Sequence, residues 1–177
     1  MGVAIPRPCS AVNDSASGAQ VIDGSLKFDR VGSDALSFQP SSNGNKKTST
    51  ISGWFKRGGN SSASAQSLFN VSQNTNDDYF DIYINNNRFY VYNRSDSQNS
   101  GQAVVLWTSR YLRDFSGWYH FVVALDSTQS TASDRVKIYI NGIRQLDLDS
   151  ANYPSQDYNF FTANSTVKGR SIGRSVW

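Results

Sequence analysis

Between Gly117 and Ile143 the chain alternates as one long hairpin would. The run from Gly117 to Asp126 is bulky at both alternating sets, Trp118/His120/Val122/Ala124 and Tyr119/Phe121/Val123/Leu125. Successive side chains of a strand point to opposite faces, so a run bulky on both predicts a strand inside a sheet, with Trp118 in the core. A polar excursion, Ser127–Asp134, leads to a second run in which Val136, Ile138 and Ile140 alternate with Lys137 and Tyr139. Asn141-Gly142 then offers the two residues that tolerate positive φ in a type I′ turn, so the chain should reverse at Ile143.

From Val21 onward the same short β-branched and aromatic runs recur between Gly, Asn, Ser and Asp. They predict strands at Ser25–Asp29, Ala35–Phe38, Thr48–Lys56, Gln66–Asn70, Tyr79–Asn85, Arg88–Asn93, Val104–Thr108, Gly117–Leu125, Val136–Ile140 and Arg144–Asp147. No stretch sustains a helical period. Phe80, Ile82 and Ile84 alternate with Tyr79, Asp81 and Tyr83, and Asn85–Asn87 turns into Arg88-Phe-Tyr-Val-Tyr92, a second hairpin with an aromatic outer face. The fold class expected is all-β, a two-sheet antiparallel β-sandwich. Residues 1–20 differ: two nearby prolines, Pro6 and Pro8, and a Ser/Ala/Asn/Asp/Gly run without period predict an extended N-terminal arm, followed by one domain over 21–177. Val3, Ala4, Ile5, Pro6 and Pro8 are the arm residues expected to pack into a neighbour in an assembly.

Composition narrows the chemistry. A chain of 177 residues suits one core that needs no metal or disulfide, and with the single Cys9 no intrachain disulfide can form. No window is apolar and long enough to cross a membrane, and the first residues lack a signal-peptide pattern, so we expect neither membrane insertion nor an export signal. The net charge of +3 comes from scattered basic residues, Lys46-Lys47 and Lys56-Arg57 excepted, which argues against a nucleic-acid partner. All 14 acidic residues are aspartates.

Trp118-x-His120-x-Val122, the following Asp126, the polar loop and Tyr139-x-Asn141-Gly142 resemble the laminin-G-like, concanavalin A-like jelly roll, in particular the version found in virion proteins of tailed phages. The likeness takes in Gly24–Phe28, Thr50–Gly58, Gln66–Phe69, Asn152–Gln156 and Ser171–Arg174, spanning about Ile22 to Arg174. It implies a non-enzymatic virion structural protein, fibre or capsid-attached. The N-terminal arm would anchor it to other virion proteins, and the jelly roll would serve assembly and host-surface glycan binding. A homo-oligomer in a virion assembled in the host cytoplasm is expected. A free carbohydrate-binding module or lectin is the alternative. A glycan hydrolase or lyase is a weaker third, because hydrolases of this fold commonly use two glutamates. The resemblance also implies a closing strand after Ile172-Gly-Arg174 that this sequence lacks, so we expect residues or a strand beyond Trp177 to complete the sandwich.

Four aromatics, Trp107, Tyr111, Tyr90 and Tyr92, are the candidates for stacking against sugar rings, whose apolar faces match aromatic planes. No cofactor is required. Calcium is the one candidate ligand ion, through the oxygen-rich stretch holding Asp77, Asp78 and Asp81. His120 has no base partner in its neighbourhood of the sequence and is read as a packing residue, so no catalytic residue is assigned.

Overall fold

The computed structural model describes residues 24–28, 34–57, 65–72, 78–95, 101–163 and 169–173. Its strands are β1 (Leu36–Phe38), β2 (Thr48–Lys56), β3 (Gln66–Ser72), β4 (Asp78–Asn85), β5 (Arg88–Ser95), β6 (Gly101–Tyr111), β7 (Trp118–Asp126), β8 (Val136–Ile140), β9 (Ile143–Arg144), β10 (Leu148–Asn152) and β11 (Arg170–Ile172). They form two antiparallel sheets, one in the order β1-β11-β3-β4-β5-β6-β10 and the other β2-β7-β8-β9. This is the β-sandwich that the alternation predicts.

The organising hairpin is present. β7 lies between β2 and β8, paired with β2 from Thr48–Asp126 to Lys56–Trp118 and with β8 from Phe121–Ile140 to Leu125–Val136. The β8–β9 turn has φ of 50° at Asn141 and 77° at Gly142, and the β4–β5 turn has 48° at Asn86 and 62° at Asn87. Both are two-residue turns with positive φ throughout, which matches the twist of the strands they join.

The core forms where the two sheets face each other. Tyr119, Phe121, Val123 and Leu125 of β7 meet Phe80, Ile82, Phe89, Val91 and Leu106 of the larger sheet, all buried. Phe121 sits 5.6 Å from Phe89 and 6.0 Å from Phe55, ring centre to ring centre, which ties β7 to both sheets. Burying one such side chain contributes roughly 1.5–3 kcal/mol.

Four expectations are corrected. Trp118 is 48% exposed and lies on the outer face of the smaller sheet, because among the described residues that sheet has a partner layer on one side only. The outer set of β7 is bulky for another reason: His120 stands against Trp54 of the paired strand, ring centres 4.9 Å apart. The polar excursion contains one helical turn, Ala132–Arg135, too short to show a period. Residues 25–28 join no ladder. The expected strand Arg144–Asp147 ends after Arg144, and the chain pairs again as β10, whose Leu148-Asp-Ser-Ala-Asn sequence carries little apolar alternation.

Candidate functional site

Register places a set of aromatic and polar side chains on the outer face of the seven-stranded sheet. Residues directly opposite in an antiparallel ladder share a face. Tyr83 opposes Tyr90, which opposes Trp107, which opposes Ser150; Asn70 opposes Asp81, which opposes Tyr92; and Tyr79 opposes Ser72. Arg88 opposes Tyr111 at the end of the same face. Their neighbours along each strand, Phe80, Ile82, Phe89, Val91 and Leu106, fill the core. The alternation of β4 and β5 therefore builds two surfaces at once, an apolar one inside and an aromatic one outside.

The rings stack in two rows. Tyr83 and Tyr90 lie 4.8 Å apart with planes 17° from parallel, and Tyr90 and Trp107 follow at 5.4 Å and 27°. Tyr79 and Tyr92 make the second row at 5.4 Å and 13°. Stacked this way, the inner rings offer edges and phenol groups, while the Trp107 face turned away from Tyr90 looks toward Ser150, a residue too small to cover an indole. At the end of the face Arg88 donates to Tyr111 Oη at 2.5 Å and pairs with Asp149, and Arg88 and Arg113 both lie over the Tyr111 ring, at 4.5 and 4.8 Å.

Beneath the rings lie polar groups. Asp81 has no exposed surface and accepts from Ser67 Oγ at 2.9 Å. Asn70, also fully buried, has both side-chain polar atoms unpaired among the described residues. Burial holds the phenols of Tyr79, Tyr83 and Tyr90 above their ordinary pKa, helped by Tyr92 at Tyr79 and by the Asp81 charge at Tyr83. These phenols stay neutral at physiological pH, able both to donate and to accept.

The sequence-derived aromatic set, Trp107, Tyr111, Tyr90 and Tyr92, thus shares one face. Tyr79 and Tyr83, which sequence reasoning placed on that hairpin face without choosing them, complete the two rows. The acidic set does not converge. Asp78 and Asp81 are three residues apart on one strand and so point to opposite faces. Asp77 and the arm residues Val3, Ala4, Ile5, Pro6 and Pro8 lie outside the described residues. Among the described residues no group of three or more His, Cys or Asp side chains could hold a metal ion; Asp78 and Asp81 do not fit a shared calcium. His120 is on the other sheet, packed on Trp54.

No curated protein matches the chain. Among solved structures it is similar to the mouse laminin alpha1 chain, domains LG4-5, with a TM-score of 0.46 and 13% sequence identity over 78% of this chain. It spans 30% of that longer chain. A family model matches residues 30–176, nearly the whole of the sandwich, and the chain belongs to that family, Laminin_G_3, of the Concanavalin A-like lectin/glucanases superfamily.

Proposed function

We propose that this domain is a non-catalytic glycan-binding sandwich that holds its ligand on the outer face of the seven-stranded sheet. One observation carries the reading: Tyr79, Tyr83, Tyr90, Tyr92, Trp107 and Tyr111 come from three adjacent strands onto one face, above polar groups that are not used in the core. Aromatic planes take the C–H faces of sugars, and neutral phenols, Ser150 and Asn152 take their hydroxyls. Catalysis is disfavoured by the carboxylates available there. Asp81 is fully buried and Asp149 is paired to Arg88, whereas glycoside hydrolysis needs two carboxyl groups flanking the scissile bond.

The sequence resemblance supplies the setting: a fibre or capsid-attached protein of a tailed-phage virion, anchored by residues 1–20 and assembled as a homo-oligomer. A free lectin is the second reading, and the arm separates them. A glycan microarray probed with the whole chain tests the binding. Signals lost in Trp107→Ala support the site, and signals unchanged in that variant overturn it. Deleting residues 1–20 should abolish incorporation into particles while leaving glycan binding intact; incorporation without the arm would remove the anchoring role.

A further inference from the structure

The turn between β8 and β9 is built on an Asn-Gly pair, a dipeptide with chemistry of its own. The peptide nitrogen of the glycine can attack the side-chain carbonyl carbon of the asparagine. A bond forms between Gly142 N and Asn141 Cγ, the bond from Cγ to Nδ2 breaks, and Nδ2 leaves as ammonia with the proton that the glycine nitrogen gives up. Water then opens the ring on one side or the other, leaving aspartate or isoaspartate. Glycine at the second position makes the attack easy, because it has no Cβ to crowd the nitrogen.

The structure holds this pair in the wrong geometry for that step. φ is 50° at Asn141 and 77° at Gly142, and a type I′ turn sets ψ of its first central residue near about +30°. At that ψ the Gly142 nitrogen lies across the Cα–C bond from Cβ, whereas ring closure needs the two on the same side. The side chain is also turned toward β7. His120 N–H donates to Asn141 Oδ1 at 2.8 Å, and Asn141 N–H donates to His120 O at 2.8 Å. Asn141 is thus tied through its side chain and its main chain to one residue of the neighbouring strand, and only its amide oxygen can accept there, which fixes the orientation of the amide.

What keeps the turn closed is slight. β9 is two residues long, and its Ile143 is 63% exposed. Arg144 fastens it from the side, its Nη2 donating to Ser133 O at 3.0 Å and to Asp134 Oδ1 at 3.2 Å. Short, exposed segments of this kind open far more often than the sheet they border. Isoaspartate at 141 would add a backbone methylene to a turn whose two residues must match the twist of the strands it joins, so a turn that reacts while open does not re-form as it was. We propose that Asn141-Gly142 is a latent modification site: shielded while Asn141 is held on His120, it deamidates when β9 lifts away, and the isoaspartate product keeps the turn from closing. Arg144 is the latch.

The experiment ages the whole chain in mildly alkaline buffer, folded and in urea, and follows the amide-to-acid mass change in tryptic fragments. Fragment 138–144 reports Asn141, and fragment 31–46 reports Asn43-Gly44, the other Asn-Gly pair of the sequence, which serves as the clock in urea. In urea the two should react at similar rates. In the folded chain Asn141 should react at least about tenfold more slowly than in urea, as a group does that reacts only through local opening. Arg144→Ala should raise the folded-chain rate at Asn141, with amide hydrogen exchange at His120 rising in step and the melting temperature little changed, since an exposed ion pair contributes little. If that variant unfolds, sub-denaturing urea on the native chain decides: the Asn141 rate should rise together with His120 exchange before the Val123 amide begins to exchange. Equal rates at Asn141 in the folded and unfolded chains overturn the proposal. So does a rate that stays constant while His120 exchange quickens, or one that rises only with exchange at Val123.

Discussion

Tyr90 and Trp107 face each other across the β5–β6 ladder, ring centres 5.4 Å apart, and Trp107 keeps its other face toward Ser150. Trp107 is half-buried, stacked on one ring and flanked across the ladder by a serine, so it is held in one orientation without being fully covered. Trp107→Ala is therefore expected to weaken glycan binding by tenfold or more while costing about 0.5–1.5 kcal/mol of stability from the lost ring pair. Calorimetric titration and urea unfolding of the same variant separate the two effects. A loss of stability large enough to unfold the chain would place Trp107 in the core instead.

The two faces of β7 give a sharper contrast. Phe121 is 6% exposed and packs on Phe55 and Phe89, so Phe121→Ala leaves a cavity and should cost about 3–5 kcal/mol. Trp118, three residues earlier, is 48% exposed, and Trp118→Ala should cost less than about 1.5 kcal/mol. Chemical denaturation of the two variants checks the order, and equal midpoints would contradict the assignment of faces.

Trp118 also shows where sequence reading stops. Alternation located β7, β8, the two turns and the apolar inner face of β4 and β5, because period and turn chemistry are local. It did not tell which face of β7 looks inward, since both sets are bulky and only the position of the second sheet decides. Tyr90, Tyr92, Trp107 and Tyr111 were legible as candidates one at a time, but their union with Tyr79 and Tyr83 depends on the β4–β5–β6 register. β10 and β11 were not legible as strands. Leu148–Asn152 and Arg170–Ile172 have weak alternation and exist because neighbouring edges pair with them. The unpaired Asn70 amide gives no sequence signal, being one asparagine among many.

Gly142 tests the turn that reverses the chain after β8. Its φ of 77° is unfavourable for any residue with a Cβ, yet a Cβ built there meets nothing within 4 Å. Strain is thus isolated from crowding. Gly142→Ala should cost about 1–2 kcal/mol, and Gly142→Asn less, because asparagine tolerates the left-handed region. Thermal melts of both variants read the difference, and a larger loss for asparagine than for alanine would show that space, not φ, limits the site.

The phenols of the aromatic face set an alkaline limit on stability. Tyr79, Tyr83 and Tyr90 are held above their ordinary pKa chiefly by burial, and so is Tyr158, whose hydroxyl accepts from Asn93 Nδ2 at 2.8 Å beneath the sheet. In the unfolded chain the same groups lose their protons near pH 10. Because the folded values are higher, the contribution of these phenols is complete below about pH 10 and is lost as pH rises through the folded values, the unfolded state releasing protons first. The melting temperature should therefore be unaffected by these groups at neutral pH and fall steeply above about pH 10. Tyr83→Phe, which keeps the ring and removes a buried ionisable group beside Asp81, should make that fall shallower. A melting curve followed with phenolate absorbance measures both, and the same alkaline slope in Tyr83→Phe as in the native chain would show that the buried phenols do not govern it.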